Sequence, residues 1–119
     1  MTLNSPLADL KRTLTQQPDD RISLTKLGFE LVMTDPAQAQ RHLARVIPLS
    51  PGNMAAARVN LGIASESAGQ TERAEHSYRA ALDADPANEK ALRRLVRLVA
   101  AQKDPLTLGE LLSAPGRVA

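Results

Sequence analysis

The residues of this sequence best suited to bind a ligand lie in the segment 87–102. This segment carries four basic residues at helical spacing: Lys90, Arg93, Arg94 and Arg97. Arginine pairs with a carboxylate through two parallel N–H···O bonds, and lysine adds a point charge. Residues three and four apart share one face of a helix, so the segment predicts a surface that binds acidic groups. A face that is simply solvated, or paired with Asp104 or Glu110, is the alternative interpretation.

Residue types used in catalysis are present, but they form no catalytic pattern. The sequence contains no glycine-rich phosphate loop, no nucleophile elbow and no HExxH motif. His42 and His76 have no carboxylate or thiolate partners at ligand spacing, and cysteine is absent. This favours surface histidines over metal ligands. We therefore predict a protein that is not an enzyme and that has no cofactor and no metal.

Composition narrows the class of partner. With 119 residues the chain is expected to form one domain. The net charge is only +2 and aromatic residues make up 2% of the chain, so neither electrostatics nor base stacking favours nucleic acid. The sequence has no apolar run typical of a signal peptide or of a bilayer-spanning helix. A cytoplasmic protein without membrane insertion is the prediction.

A ladder of residues recurs at an offset of 34 to 35 positions. In the downstream copy it consists of Leu61, Gly62, Ala74, Tyr78, Ala81 and Pro86. In the upstream copy it consists of Leu27, Gly28, Ala39, Leu43, Val46 and Pro51. The small residues allow two helices to cross closely, and Tyr78 is suited to fill the gap between copies. We predict that this ladder packs the helices together.

The ladder resembles the tetratricopeptide pattern, in which Leu-Gly, then Ala-x3-aromatic, then Pro recur at fixed offsets. This resemblance implies an all-α, right-handed solenoid of antiparallel helix pairs with six to seven helices. It divides a single domain, 1–119, into five parts: an N-terminal capping helix (6–17), two repeats (21–53 and 55–88), a partial third repeat (89–113) and a tail (114–119). Arg58 and Ser65 depart from the residues that the pattern prefers.

Local signals predict where the helices begin and end. Gly69 suits a left-handed C-cap, and Thr71 is the expected N-cap of the helix that follows. Asp85 precedes Pro86 and is expected to end that helix. Pro48 is expected to end the corresponding helix of the first repeat early.

The resemblance also implies a binding surface, because the first helix of each tetratricopeptide repeat lines a concave groove. The groove residues that it implies are Lys26, Phe29, Asn60, Ile63, Lys90, Arg93, Arg94 and Arg97. Such a groove is apolar at one end and basic at the other. It suits a protein or peptide client with an acidic group or a C-terminal carboxylate.

One tetratricopeptide subfamily, the chaperone-binding co-chaperones, grips a peptide C-terminus with a two-carboxylate clamp. Asn60, Lys90 and Arg94 match three of its five positions, whereas Thr25 and Phe29 stand at the other two. A looser groove for acidic peptides is therefore favoured over a true clamp.

Two functions fit these residues and the family that they resemble. The first is a bacterial adaptor or co-chaperone that binds a client in its groove. The second is a structural unit that forms homo-oligomers through its terminal helices, for which the apolar stretch 106–113 is suited. Ile22, Phe29 and Val32 are either ligand anchors or core residues under the N-terminal helix. That helix could also lie in the groove and block it.

Overall fold

The structure is a computed structural model that describes residues 6–50 and 54–102 of the chain. Within these ranges the backbone forms six α-helices and no β-strand. The helices are α1 (Pro6–Gln16), α2 (Arg21–Leu31), α3 (Pro36–Leu49), α4 (Ala55–Ser67), α5 (Thr71–Ala84) and α6 (Glu89–Ala101). The helix predicted within 106–113 and the tail 114–119 lie outside the described residues.

Each helix packs mainly against its neighbours in the chain. α2 packs on α3 and α4 packs on α5, and short connections make each pair antiparallel. α3 also packs on α4, α5 packs on α6, and α1 packs on α2. The result is an elongated array of 53 × 28 × 22 Å. The predicted all-α architecture of helix pairs is confirmed.

Polar residues before three of the helices accept hydrogen bonds from the first turn. The carboxylate of Asp20 accepts from the backbone N–H of Ser23, with an N···O distance of 2.9 Å. Asp35 and Asn88 play the same part at α3 and α6. Such caps satisfy backbone donors that have no partner within the helix. They explain why these helices begin where they do.

The connection between α4 and α5 differs in one detail from the prediction. Gly69 has the expected left-handed conformation, with φ of 76°. Thr71, however, is the first residue of α5, and Gln70 takes the N-cap position without a side-chain hydrogen bond to the helix. The N-terminal turn of α5 therefore has no side-chain cap.

Pro48 does not end α3 early, contrary to prediction. The helix continues to Leu49, and Ser50 follows as its C-cap. Proline removes one backbone donor, but this close to the end of a helix few further bonds depend on it. Ser50 holds the last turn, because its N–H donates to the carbonyl of Ile47 and its hydroxyl donates to the carbonyl of Val46.

Close contact between a glycine and a large side chain sets the spacing of the two helices in each repeat. A Cβ atom placed on Gly28 would lie 2.6 Å from Cδ2 of Leu43. One placed on Gly62 would lie 2.5 Å from Cε1 of Tyr78. Neither distance leaves room for a carbon atom in a close-packed interior. A larger residue at either position would have to displace the facing side chain.

Most of the ladder residues lie in the core. Those with no exposed surface are Leu27, Ala39, Leu43, Val46, Ala74, Tyr78 and Ala81. Leu61 is only half-buried, and Pro86 is exposed after the end of α5. The ring of Tyr78 packs on Gly62 of its own repeat, so it fills space within a repeat as well as towards α6.

The N-terminal helix packs at one end of the array. Leu7 and Leu10 of α1 lie against the core, and the main contacts of α1 are with α2. α1 has no substantial contact with α4 or α6 in the described part of the chain. It therefore does not fill a groove along those helices.

None of the described helices is both long enough and apolar enough to cross a bilayer.

Candidate protein-binding groove

One face of α6 is basic and the opposite face is buried. The buried residues of this helix are Ala91, Leu95, Leu98 and Val99. Lys90, Arg93 and Arg97 are exposed, and Arg94 is half-buried. We call these four residues the basic face. The structure thus brings together the part of the predicted groove that lies on α6.

The exposed cations of the basic face have no carboxylate partner among the described residues. The ion pairs in residues 6–50 and 54–102 are Arg12–Asp9, Arg45–Asp19 and Arg79–Glu75. None of them involves α6. Asp104 and Glu110, the partners considered from the sequence, lie outside the described residues.

A polar contact between α4 and α5 lies near Arg94. The hydroxyl of Tyr78 on α5 donates a hydrogen bond to the carboxylate of Glu66 on α4. Burial and the bond to Glu66 raise the pKa of Tyr78, and the positive charge of Arg94 on α6 partly opposes this rise. Arg94 is thus half-buried and close to this contact, whereas the other three residues of the basic face are exposed.

The middle of the predicted groove is less accessible than the sequence suggested. Ile63 is only 6% exposed, because α4 packs against α2, α3 and α5 at once. It belongs to the core and is not a ligand anchor at the surface, which corrects the prediction. Asn60 is half-buried, and its side-chain amide donates to the carbonyl of Ala56 at 2.9 Å. Little of α4 is left to contact a partner through apolar side chains.

The apolar end of the predicted groove lies on α2. Phe29 is 41% exposed and Ile22 is 66% exposed, whereas Val32 is buried. Val32 is thus a core residue, and the other two remain at the surface. Met33, in the turn that follows α2, is 72% exposed.

A hollow of about 510 Å³ between α1 and α2 adjoins this apolar face. We call it the α1–α2 hollow. Its lining residues are Pro6, Leu7, Leu10, Lys26, Phe29 and Glu30. Lys26 and Phe29 therefore lie together, but on a different helix from the basic face. The predicted groove residues form two separate surfaces on α2 and α6, with a largely buried segment between them.

Two polar features of the structure were not predicted from the sequence. Tyr78 was expected to find a polar partner, but Glu66 could not be named, because it is twelve positions away and on another helix. Gln40 and Ser77 are buried polar residues on α3 and α5. The only indication of their burial in the sequence is that they stand beside small and apolar residues of the ladder.

The two histidines are not grouped as metal ligands. In the described part of the chain, no three side chains of the types His, Cys, Asp and Glu lie close enough to hold a metal ion. His76 is exposed and His42 is half-buried. Burial lowers the pKa of His42, and the positive charges of Arg41, Lys11 and Arg45 lower it further against a smaller opposing effect of Asp35.

The arrangement of helices is similar to that in solved structures of MamA. The structure "MamA RS-1 ArsTM double mutant" superposes with a TM-score of 0.82 and 22% sequence identity, over 90% of this chain and 60% of that chain. "Crystal structure of MamA" superposes with a TM-score of 0.79 and 18% identity, over 92% of this chain and 66% of that chain. The chain thus spans less than two thirds of the length of either neighbour.

No protein-family model matches the sequence, and no curated protein is significantly similar to it. The ladder, the helix pairs and the MamA-like superposition together define a right-handed tetratricopeptide-type solenoid. This class of fold is the one that the ladder predicted.

Proposed function

We propose that this chain is a non-catalytic protein-interaction module, an adaptor or co-chaperone, that binds an acidic segment of a client protein on the basic face. The observation that carries the proposal is the exposure of Lys90, Arg93 and Arg97 on one face of α6, without an ion pair in the described residues. Exposed cations on one face of a helix are available to carboxylates of a partner.

Two observations favour a loose acidic contact over a clamp for a single carboxylate terminus. The amide of Asn60 donates to the carbonyl of Ala56 in its own helix, and Arg94 is half-buried near Tyr78. Two of the three residues that match the clamp are therefore less available to a peptide than the exposed Lys90. Most of the attraction is expected to come from Lys90, Arg93 and Arg97. This attraction should weaken as the salt concentration rises.

The proposal is tested by fluorescence anisotropy with a labelled acidic peptide. The probe is a short synthetic peptide that alternates leucine and glutamate, and the comparison peptide carries glutamine in place of glutamate. We expect the acidic peptide to bind and the neutral one not to bind. The double substitution Arg93→Glu/Arg97→Glu should weaken binding roughly tenfold, because each exposed ion pair contributes about 0.2–1 kcal/mol and two attractions become repulsions.

The matched control is Lys11→Glu/Arg12→Glu, which makes the same change of net charge on α1. It should leave the affinity within about twofold of the wild type, because α1 lies at the other end of the array and its charges are screened over such a distance. Equal weakening by both double variants would show that only net charge matters, and the basic face would then not be the site.

A second candidate function is self-association through α2, and the exposed apolar face of this helix favours it. Ile22 and Phe29 lie two helical turns apart on one side of α2, and Phe29 lines the α1–α2 hollow. α1 packs on α2 where a preceding repeat would pack in a longer solenoid, but it leaves Ile22 and Phe29 exposed. A second copy could cover these two side chains.

Molar mass in solution tests this second function. Light scattering should give a multiple of the chain mass of 12.8 kDa for the wild type and the single mass for Ile22→Ser/Phe29→Ser. A wild type that is monomeric at every concentration would rule out self-association by this face. The acidic-peptide measurement is independent of this result, because the two surfaces lie on different helices.

A further inference from the structure

A cleft of about 470 Å³ lies between α3 and α5. We call it the α3–α5 cleft. It is lined by Ala37, Gln40, Arg41, Ala44, Leu61, Gln70, Arg73, His76 and Ser77. Its walls belong mainly to the second helices of the two repeats, whereas the surfaces on α2 and α6 belong to first helices. The cleft is therefore a separate site from the proposed client surface.

Two buried polar side chains with unused hydrogen-bond donors line this cleft. Gln40 is 7% exposed, and its Oε1 atom accepts from Arg73 Nη1 at 3.0 Å. The Oγ atom of Ser65 lies 3.4 Å from the same oxygen but donates to the carbonyl of Leu61 at 2.8 Å. The Nε2 group of Gln40 has no acceptor among the described residues. Ser77 is 3% exposed, and its hydroxyl has no hydrogen-bond partner in the same part of the chain. Buried donors without acceptors are uncommon in folded proteins, so these two point to a ligand that accepts hydrogen bonds.

The charge in the cleft favours an anion. Arg41 and Arg73 are among the lining residues, and no aspartate or glutamate is. The cleft also reaches Gln70 and Arg73 at the N-terminal turn of α5, where no side chain caps the backbone N–H groups. A helix N-terminus carries a partial positive charge. Glu72 lines a neighbouring hollow at the start of α5 and not this cleft.

The remaining wall of the cleft is apolar and continues beyond it. Ala44 and Leu61 are shared with an adjoining hollow of about 200 Å³, which Ile47 and Ala80 also line. An aliphatic group could lie along this wall while its anionic head contacts the donors of Gln40, Arg73 and Ser77. Ligand sites commonly combine an apolar wall with a few convergent polar groups in this way.

We propose that the α3–α5 cleft binds a small amphipathic oxyanion, a carboxylate or phosphate carried on a short aliphatic body. Arg73 pairs with the oxyanion, the amide of Gln40 and the hydroxyl of Ser77 donate to it, and Leu61 contacts the aliphatic part. A bound oxyanion would satisfy the two buried donors that have no acceptor within residues 6–50 and 54–102.

Nuclear magnetic resonance on the whole ¹⁵N-labelled chain tests this site. Hexanoate, hexyl phosphate and the neutral analogue 1-hexanol are titrated separately at constant ionic strength. We expect saturable shifts of the Gln40 side-chain amide and the Arg73 Nε–H signals with one or both anions, and no such shifts with hexanol. The anion that binds more tightly identifies the head group.

Substitutions distinguish binding in the α3–α5 cleft from a general effect of net charge. Arg73→Gln should weaken binding by about tenfold or more, since it removes a charge-assisted hydrogen bond. Ser77→Ala should weaken it by a smaller factor while leaving the contact between Arg73 and Gln40 in place. Arg79→Gln, on the same helix but outside the cleft, should leave binding unchanged, as should Arg93→Glu/Arg97→Glu on the basic face.

Three results would overturn the proposal. They are an absence of saturable shifts in the wild type, equal shifts with hexanol, and equal weakening by Arg79→Gln and Arg73→Gln. If Arg73→Gln disturbs the fold by circular dichroism, Ser77→Ala decides the question. Failure of the acidic peptide to bind the basic face would leave this inference untouched.

Discussion

At the scale of single residues, the contact between Gly62 and Tyr78 shows how one position can control packing and polar contacts together. The ring lies where a Cβ atom on position 62 would be, and this closeness places the hydroxyl beside Glu66 and Arg94. A substitution of Gly62 is therefore expected to affect contacts on α4, α5 and α6. Gly28 and Leu43 form the equivalent contact in the first repeat without a polar group.

Gly62→Ala is expected to destabilise the protein by about 1–2 kcal/mol. Overpacking a core costs about 1–3 kcal/mol, and the better helix propensity of alanine offsets up to about 1 kcal/mol of that loss. Urea unfolding followed by circular dichroism measures the change. Ser67→Ala, at an exposed position of the same helix, is the control and should change stability little. A stabilising effect of Gly62→Ala would contradict the tight crossing.

His42 is expected to make stability depend on pH below neutrality. Its pKa in the folded chain is lowered, first by burial and then by Arg41, whereas an unfolded histidine has its ordinary pKa near about 6.5. The unfolded chain therefore takes up a proton at higher pH than the folded chain. Stability should be fully present above about pH 6.5 and should fall as the pH drops towards the lowered pKa.

The measurement is the urea midpoint of the wild type and of His42→Gln at a series of pH values between about 5 and 8. His42→Gln should reduce the pH dependence, and His76→Gln, at an exposed position, is the control. Parallel pH profiles for the wild type and His42→Gln would show that His42 is not the group responsible.

At the scale of secondary-structure elements, the positions where helices begin and end depend on caps and on the turn at Gly69 more than on hydrophobic periodicity alone. Asn88 begins α6, which carries the basic face, and accepts from the N–H of Ala91 at 2.9 Å. α5 begins without a side-chain cap, and its free N-terminal turn lies at the α3–α5 cleft. The first backbone N–H groups of α5 are therefore available to a ligand, whereas at α6 Asn88 already accepts from one of them.

Asn88→Ala is expected to destabilise the chain by about 1 kcal/mol, because the first turn of α6 loses its side-chain acceptor. Asn88→Ser should retain most of the stability, since serine is also a good N-cap residue. Thermal unfolding of the three proteins checks this. If alanine and serine are equally destabilising, the cap bond is not what the substitution removes.

At the scale of the whole molecule, the hydrophobic core extends along the array between neighbouring helices. The radius of gyration is 15.9 Å, whereas a compact globular domain of the same 119 residues would have about 13.5 Å. Each helix pair therefore depends on the pair beside it. In such arrays stability is approximately a sum over repeats and their interfaces.

Leu95→Ala should act mainly on one end of the array. Leu95 is fully buried on α6, and truncation of a buried leucine costs about 2–5 kcal/mol. Hydrogen exchange should show lost protection in α6 and α5 and retained protection in α2 and α3. Leu43→Ala should show the opposite distribution. A uniform loss of protection in both variants would mean that the described helices unfold as a single unit.

Much of this fold could be predicted from particular residues. The Leu-Gly pairs and the small residues recur at an offset of 34 to 35, and the structure shows the close helix crossings that require them. Gly69 also has the left-handed conformation that was predicted. Pro48 and Thr71 show the limit of such local signals, because α3 continues past Pro48 to Leu49 and α5 begins at Thr71 without a side-chain cap.

The sequence by itself determined the helices, their pairing in repeats and the basic face on α6, since these depend on short spacings along one chain segment. Only the tertiary structure decided that Ile63 is core, that Tyr78 reaches Glu66 and Arg94, and that Gln40 and Ser77 face one cleft. These outcomes depend on contacts between separate helices, where burial and the choice of hydrogen-bond partner are set by packing.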